Sequence, residues 1–362
     1  MSDRRESALR VDVGALAEFP DRIDVRSPAE YALDHLPHAA SHPVLDDLER
    51  AEVGTLYVTS PFEARRLGAA KVARNIARML DTAFGGKPRD WRPLIYCWRG
   101  GQRSRALAHV LNEIGWRAMQ LDGGYRAYRR YVITRLDMLP ARFEFVVVSG
   151  LTGSGKSRLI AALASAGGQT LDLEALARHR GSLLGSLPGA PQPSQRAFES
   201  ALFDRLEQFD TARPVFVESE SRRVGSVQLP DALLARMRDG RRLTLRATLA
   251  QRVALLRQDY AHFVADAGLL EERLRPLTPL HGKATLAQWT ALAAAGDWDA
   301  LVGELLERHY DAAYARSLGA NFASAEHVFD VAVSDTSPAG FAALAHEVLS
   351  MVERAQPVST FR

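Results

Sequence analysis

Residues Phe143–Ser157 read FEFVVVSGLTGSGKS. The first half, Phe143–Ser149, is a β-branched apolar run long enough for a buried central strand. The second half, Gly150–Ser157, matches the pattern G-x-x-x-x-G-K-[ST] in full, and an apolar helix-like stretch, Arg158–Ala166, follows it. Strand, glycine loop and helix in that order predict a phosphate-binding loop. Gly150, Gly153 and Gly155, with Ser154 between the last two, let the chain curl until its N–H groups point inward at phosphate oxygens. The start of the following helix adds the positive end of its dipole. Lys156 brings a mobile positive charge to the outer phosphates, and Ser157 offers a hydroxyl to Mg²⁺. The pattern predicts a phosphate ligand but not nucleotide hydrolysis.

Carboxylates that would accompany such a loop lie downstream. PVFVESE, Pro214–Glu220, ends a predicted strand with Glu218 and Glu220. Acidic residues at the end of a neighbouring strand often meet the metal in P-loop proteins. Asp172 and Glu174, in LDLEALA, are alternatives. Solvated surface carboxylates are an equal reading for all four.

The chain has one cysteine, Cys97, which excludes an intrachain disulfide and a cysteine-rich zinc site. It sits in PLIYCWRGGQRS, Pro93–Ser104, where an apolar strand runs into the cysteine and a helix starts after Arg103. Such a loop can aim several N–H groups at the sulfur. The helix start and the guanidinium groups of Arg99 and Arg103 add positive potential, and all three favour thiolate. Gly100 and Gly101 permit the tight curl. Two chemistries share this loop type. One is sulfur or selenium transfer through the cysteine. The other is phosphatase chemistry, and Cys97 with Arg103 fits C-x5-R.

Around these motifs the chain reads as two α/β units. In the first, strands are expected at Arg22–Val25, Thr55–Thr59, Pro93–Tyr96 and Ala118–Leu121, with helices at Pro61–Leu80 and Arg103–Ile114. Strands alternating with helices argue for a parallel sheet. Tyr125–Leu139 is a basic connecting helix that Pro140 ends, which sets the boundary near there. The second unit adds strands at Pro214–Val217 and Leu243–Ala247, and a proline-rich loop at Ser186–Ser194. From about Leu249 onward the chain reads as helices, with Gln288–Arg316 at helical spacing and a break at Gly296–Asp297.

Of 46 basic residues only four are lysine, although the net charge is just +3. This arginine excess reads either as a compositional habit of the genome or as phosphate recognition by guanidinium forks. Arg126, Arg129 and Arg130, or Arg222 and Arg223, would suit an RNA backbone. No apolar run reaches the roughly 18 residues of a membrane span. The charged start MSDRRESALR is no signal peptide, so a cytoplasmic location is expected.

Asp24–Tyr31 reads DVRSPAEY and His35–Ala39 reads HLPHA. Together these resemble the rhodanese pattern D-V-R-x-x-x-E-[FY] followed by G-H-I-P-G-A, with His38 standing where that pattern has glycine. The Cys–Arg loop is also a residue longer than is common in rhodaneses. Both departures suggest a specialised member. Asp24 and Arg26 are expected either to orient the cysteine loop or to be structural, and His35 and His38 to be structural.

A rhodanese-like segment followed by a P-loop resembles the tRNA 2-selenouridine synthase family over nearly the whole chain. YCWRGGQRS, LDGGYRAYRR (Leu121–Arg130), GLTGSGKS, LDLEALARHRGSLLG (Leu171–Gly185), PQPSQRAFES (Pro191–Ser200) and VFVESESRRVG (Val215–Gly225) carry the likeness. The resemblance implies an α/β chain with a rhodanese-like parallel-sheet domain over 1–138. A P-loop NTPase-like domain over 139–362 follows, helical from about 249. It implies action on wobble 2-thiouridine in tRNAs for Lys, Glu and Gln. Geranyl diphosphate would alkylate the sulfur and selenophosphate would supply selenium, carried on Cys97 with Asp24, Arg99 and Arg103 around it. The P-loop looks suited to the diphosphate. No tightly bound cofactor, an optional Mg²⁺ and a monomer are expected. Competing readings are a nucleotide-hydrolysing enzyme with a regulatory rhodanese module, an inactive rhodanese scaffold and a phosphatase.

Overall fold

The computed structural model describes residues 9–314 and 328–355. It divides into two compact units, one of residues 1–136 with 193–204 and one of residues 137–192 with 205–362. The segment 193–204 thus counts with the first unit, although it lies in the sequence of the second. Its apolar residues Phe198, Leu202 and Phe203 are buried, and the Phe203 ring meets Tyr128 and Tyr131 edge-on. Ser200 donates to the buried Asp34 carboxylate at 3.1 Å, and Ser194 to the Leu33 carbonyl.

The first unit holds a parallel sheet in the order β1-β5-β4-β2-β3, formed by Arg10–Val11, Met119–Leu121, Leu94–Tyr96, Arg22–Asp24 and Ala39–Ser41. Ile23 pairs with Ile95 and Ala40, and Leu94 with Met119. Ile23, Val25, Ile95, Leu107 and Leu111 form its core. The expected strand at Thr55–Thr59 is instead the end of a helix, Asp47–Thr59. Asp46 and Glu49 form a capping box at its start, and the helix it begins carries through these residues. His38, where the rhodanese pattern has glycine, adopts a left-handed φ of 61°. A non-glycine residue pays for that conformation in strain.

The second unit has a parallel sheet in the order β12-β11-β6-β8-β7. Its strands are Val328–Ala332, Arg241–Arg246, Phe145–Ser149, Val215–Glu218 and Gln169–Leu171. A small antiparallel hairpin, β9 (Arg223–Val224) with β10 (Val227–Gln228), lies beside Gly225 in the chain. β6 is buried along its whole length. The region after Leu249 is not wholly helical. β12 returns to the sheet and pairs with β11, Leu243 opposite Phe329 and Leu245 opposite Val331. Helices Ala261–Ala265, Ala267–Leu274, Thr278–Ala294 and Trp298–Leu305 build a second apolar cluster around Phe263, Trp289 and Leu301, whereas Leu255 of the helix Leu249–Asp259 packs into the sheet core. The last residues of the predicted Gln288–Arg316 stretch, 315 and 316, lie outside the described residues. No helix among the described residues is long and apolar enough to cross a membrane.

Candidate functional site

β4 is the central strand of its sheet, and the chain leaves its C-terminal end at Cys97. The loop then turns through Gly100 into the helix Gln102–Ile114. Cys97 is only 3% exposed. Its Sγ accepts from the Gly101 N–H at 3.3 Å and from the Ser104 hydroxyl at 3.2 Å. Gln120 secures this arrangement from β5, since its amide donates to the Gly100 and Gly101 carbonyls and to Ser104 Oγ. Neither Ser104 nor Gln120 was singled out from the sequence. Ser104 falls in the quoted motif, but nothing in the spacing marks Gln120, whose partners lie about twenty residues away.

The turn Asp122–Arg126 clamps the loop from the other side. Tyr125 and Arg126 donate their N–H groups to the Cys97 and Trp98 carbonyls at 2.9 and 3.1 Å. Gly124 has φ +56°, and a Cβ there would stand 2.4 Å from both the Cys97 carbonyl oxygen and the Gly100 nitrogen. Only glycine fits. The motif LDGGYR is thus the back wall of the cysteine loop.

The cations expected at the sulfur are used differently. Arg103 pairs with Glu30 at 2.8 Å, and Arg99 is solvent-exposed. Burial raises the Glu30 carboxyl, but the Arg103 hydrogen bond and charge outweigh it and leave the group below its ordinary range. Asp24 is fully buried and holds Arg26 through both carboxylate oxygens. Arg26 also donates to the Asp34 carbonyl at 2.6 Å and lies 3.9 Å over the Tyr125 ring. Asp24 therefore anchors an arginine instead of facing the sulfur. Above the loop is a cavity of about 340 Å³, lined by Arg26, Arg50, Arg103 and Arg196 with the rings of Trp98 and Tyr125. Cys97 packs in the apolar core and is not among the residues lining the cavity, whereas Trp98 and Arg103 of the same loop are. His35 stacks on Tyr31 at 3.8 Å and bonds its carbonyl.

The second site starts at the C-terminal end of β6, also the central strand of its sheet. Gly153 and Gly155 take φ values of 81° and 88°, and a Cβ on Gly155 would stand 2.4 Å from the Phe341 ring. The helix Lys156–Ser165 begins directly after the loop. Lys156 Nζ donates to the Gly150 carbonyl at 2.8 Å and to Leu151 at 3.4 Å. Ser154 Oγ is buried without a hydrogen-bond partner. Tyr314, unforeseen from the sequence, accepts from the Gly150 N–H and lies under Lys156.

Beside the loop, single ligand atoms of Glu174, Glu218 and Glu220 lie within 4.8 Å of one another. Ser157 donates to Glu174 at 3.0 Å. Glu218 is completely buried with neither oxygen hydrogen-bonded. Burial, with the charges of Glu174, Asp172 and Glu220, pushes its carboxyl well above the ordinary range. Burial and the Glu174 charge push Glu220 up to about 8. Asp172 stands apart, because it caps the helix Leu173–Ala177 by accepting from the Ala175 N–H. Glu174 takes the place in the carboxylate group that Asp172 was expected to fill. Three carboxylates and a hydroxyl are oxygen donors suited to a hard divalent cation such as Mg²⁺. The cavity here is about 350 Å³ and includes Lys156, Ser157, Glu174, Arg180, Glu220 and Tyr260.

The arginines suggested for RNA divide. Arg129 is taken up by Glu199, Asp34 and Ser200, which removes it as an open phosphate contact. Arg222 pairs with Asp231 at 2.6 Å on the surface. Arg126, Arg130 and Arg223 are exposed.

Residues 12–131 match the family model of the rhodanese-like domain, and residues 143–270 match that of the tRNA 2-selenouridine synthase AAA domain. A tRNA 2-selenouridine synthase of Cupriavidus necator is 35% identical over 325 residues, covering 81% of this chain and 87% of the relative. One of Nitrosomonas europaea is 38% identical over 243 residues, covering 66% of this chain and 63% of the relative, just under two thirds of its length. Another, of Hydrogenovibrio crunogenus, is 35% identical, covering 66% of this chain and 67% of the relative.

Proposed function

Because this chain belongs to the tRNA 2-selenouridine synthase family, we propose that it exchanges the sulfur of wobble 2-thiouridine in tRNA for selenium, with Cys97 as the selenium carrier. The observation that carries this reading is the seat of Cys97 Sγ. Two donors converge on it at the end of a central strand, and Trp98 and Arg103 of the same loop line an arginine-rich cavity. Donors aimed at the sulfur stabilise negative charge on it or on a chalcogen it carries. Arg50 and Arg196 suit the anionic groups of selenophosphate and of an RNA backbone, whereas Arg26 and Arg103 are already held by Asp24 and Glu30. Trp98 offers a flat apolar face on which a flipped base can stack.

In this reading the P-loop serves the preceding step. Geranyl diphosphate alkylates the 2-thio sulfur, a carbon–sulfur bond forms as the carbon–oxygen bond to diphosphate breaks, and the sulfur becomes a better leaving group. Loop N–H groups and Lys156 stabilise the departing diphosphate. Glu174, Glu218, Glu220 and Ser157 would hold Mg²⁺, which supplies further positive charge there. The unpaired Glu218 supports a cation, since a buried carboxylate without a partner is costly. Substrate tRNAs are those for Lys, Glu and Gln.

The test is mass spectrometry of nucleosides from 2-thiouridine tRNA incubated with the protein, geranyl diphosphate and selenophosphate, each omitted in turn. Selenouridine should require both small substrates, and S-geranyl-2-thiouridine should accumulate when selenophosphate is left out. Nucleotide turnover without any tRNA product would favour the nucleotide-hydrolysing alternative.

A further inference from the structure

The phosphate loop has an apolar neighbour. A slot of about 60 Å³ lies among Leu256, Phe263, Leu270, Leu301, Val302 and Leu305, and its lining is almost wholly carbon. Thr152, Ser182, Leu256, Tyr260 and Tyr310 line both this slot and the P-loop cavity, so the two spaces adjoin. Leu256 is the hinge between them. Its side-chain carbons lie 2.8 Å from where a Cβ on Gly153 would stand.

That combination selects a ligand class. A nucleotide bound by its phosphates would need polar partners for its base and ribose, and the slot gives almost none. An apolar cavity of this kind stays dry and takes an apolar guest. We propose that the slot receives the far end of the hydrocarbon chain of a diphosphate ester whose head lies on Gly153–Ser157, and that Val302 and Leu305 help set the chain length accepted. This rests on the reading of the P-loop as a diphosphate site. A tight apolar slot discriminates by length, since one methylene too many or too few changes preference on the order of tenfold.

The test is calorimetric binding to the full-length protein with Mg²⁺ present. The ligands are inorganic pyrophosphate, dimethylallyl diphosphate with five carbons, geranyl diphosphate with ten and ATP. Wild type should bind geranyl diphosphate at least about tenfold more tightly than pyrophosphate. Val302→Trp should remove that advantage and leave pyrophosphate and dimethylallyl diphosphate within about twofold. Unchanged geranyl diphosphate binding by Val302→Trp overturns the proposal. So does a loss confined to ATP, which would make the slot a nucleobase site. If the tryptophan variant loses every ligand through misfolding, Val302→Ala decides. It should shift preference towards the fifteen-carbon farnesyl diphosphate, and no shift overturns the slot. Wild type that holds pyrophosphate but gains nothing from the geranyl chain sinks the slot alone. Wild type that binds no diphosphate sinks the P-loop reading beneath it.

Discussion

The cysteine loop and the phosphate loop occupy equivalent places, each leaving the C-terminal end of the central strand of a five-stranded parallel sheet and running into a helix. They differ in what surrounds them. The cysteine loop is braced by neutral groups, namely the Gln120 amide, Gly124 and two backbone N–H groups, and its sulfur is nearly sheathed. The phosphate loop lies in a wide cavity beside carboxylates, one of them buried and unpaired. The carrier role proposed for Cys97 calls for a fixed seat. A site that captures and releases a multivalent anion leaves charges unmet until ligand and counter-ion arrive.

The sharpest way to break this comparison is Cys97→Ala. Selenouridine formation should fall to nothing while geranylation of 2-thiouridine tRNA persists, as read by nucleoside mass spectrometry. Selenation surviving in that variant removes the carrier role. Next in size is Lys156→Ala, expected to slow geranylation about a hundredfold by taking one charge from the leaving diphosphate. Selenation of tRNA already geranylated should be spared. If both steps slow together, the two loops do not divide the work.

Smaller effects sharpen the contrast in charge. Mg²⁺ at millimolar concentration should raise the thermal unfolding midpoint of the wild type by a few degrees through binding to the native state. In Glu218→Gln the midpoint should no longer respond, and without Mg²⁺ the variant should be at least as stable as wild type. An undiminished Mg²⁺ response would place the cation elsewhere. The smallest effect is expected from Glu30→Gln, which leaves Arg103 without its carboxylate and should cost about 1 kcal/mol near neutral pH. The native carboxyl lies below its ordinary range, so its contribution is present above the unfolded value, near about 4.3, and is lost as pH falls through the native one. Wild type and variant should therefore converge in denaturant midpoint on acidification.

Local pattern made the two motifs legible, because strand, loop and helix are contiguous in both. Several N–H groups were expected at the sulfur, but the donors found there are one N–H, of Gly101, and the hydroxyl of Ser104. What escaped depends on distant parts of the chain. Gln120 reaches the cysteine loop only because β5 pairs with β4, and Tyr314 reaches Gly150 across 164 positions. Thr55–Thr59 has the composition of a strand, yet the capping box at Asp46 starts a helix that carries through it. β12 lies within the part of the chain read as helices, and its pairing with β11 identifies it. Arg103 and Arg129 were read as free cations since charge partners such as Glu30 and Glu199 are remote in sequence. Asp172 and Glu174 were weighed together as alternatives to Glu218 and Glu220, and helix capping by Asp172 separates the two.

The amine of Lys156, held by the Gly150 and Leu151 carbonyls, has a consequence for which anions succeed. Two of its three N–H donors begin paired, so at those positions an incoming ion gains only the margin by which it outbids two main-chain oxygens. A singly charged oxyanion touching one amide offers little margin. On the function proposed above, a diphosphate would span the amine and several amides at once, so the resting position of one ammonium group would favour it over smaller anions.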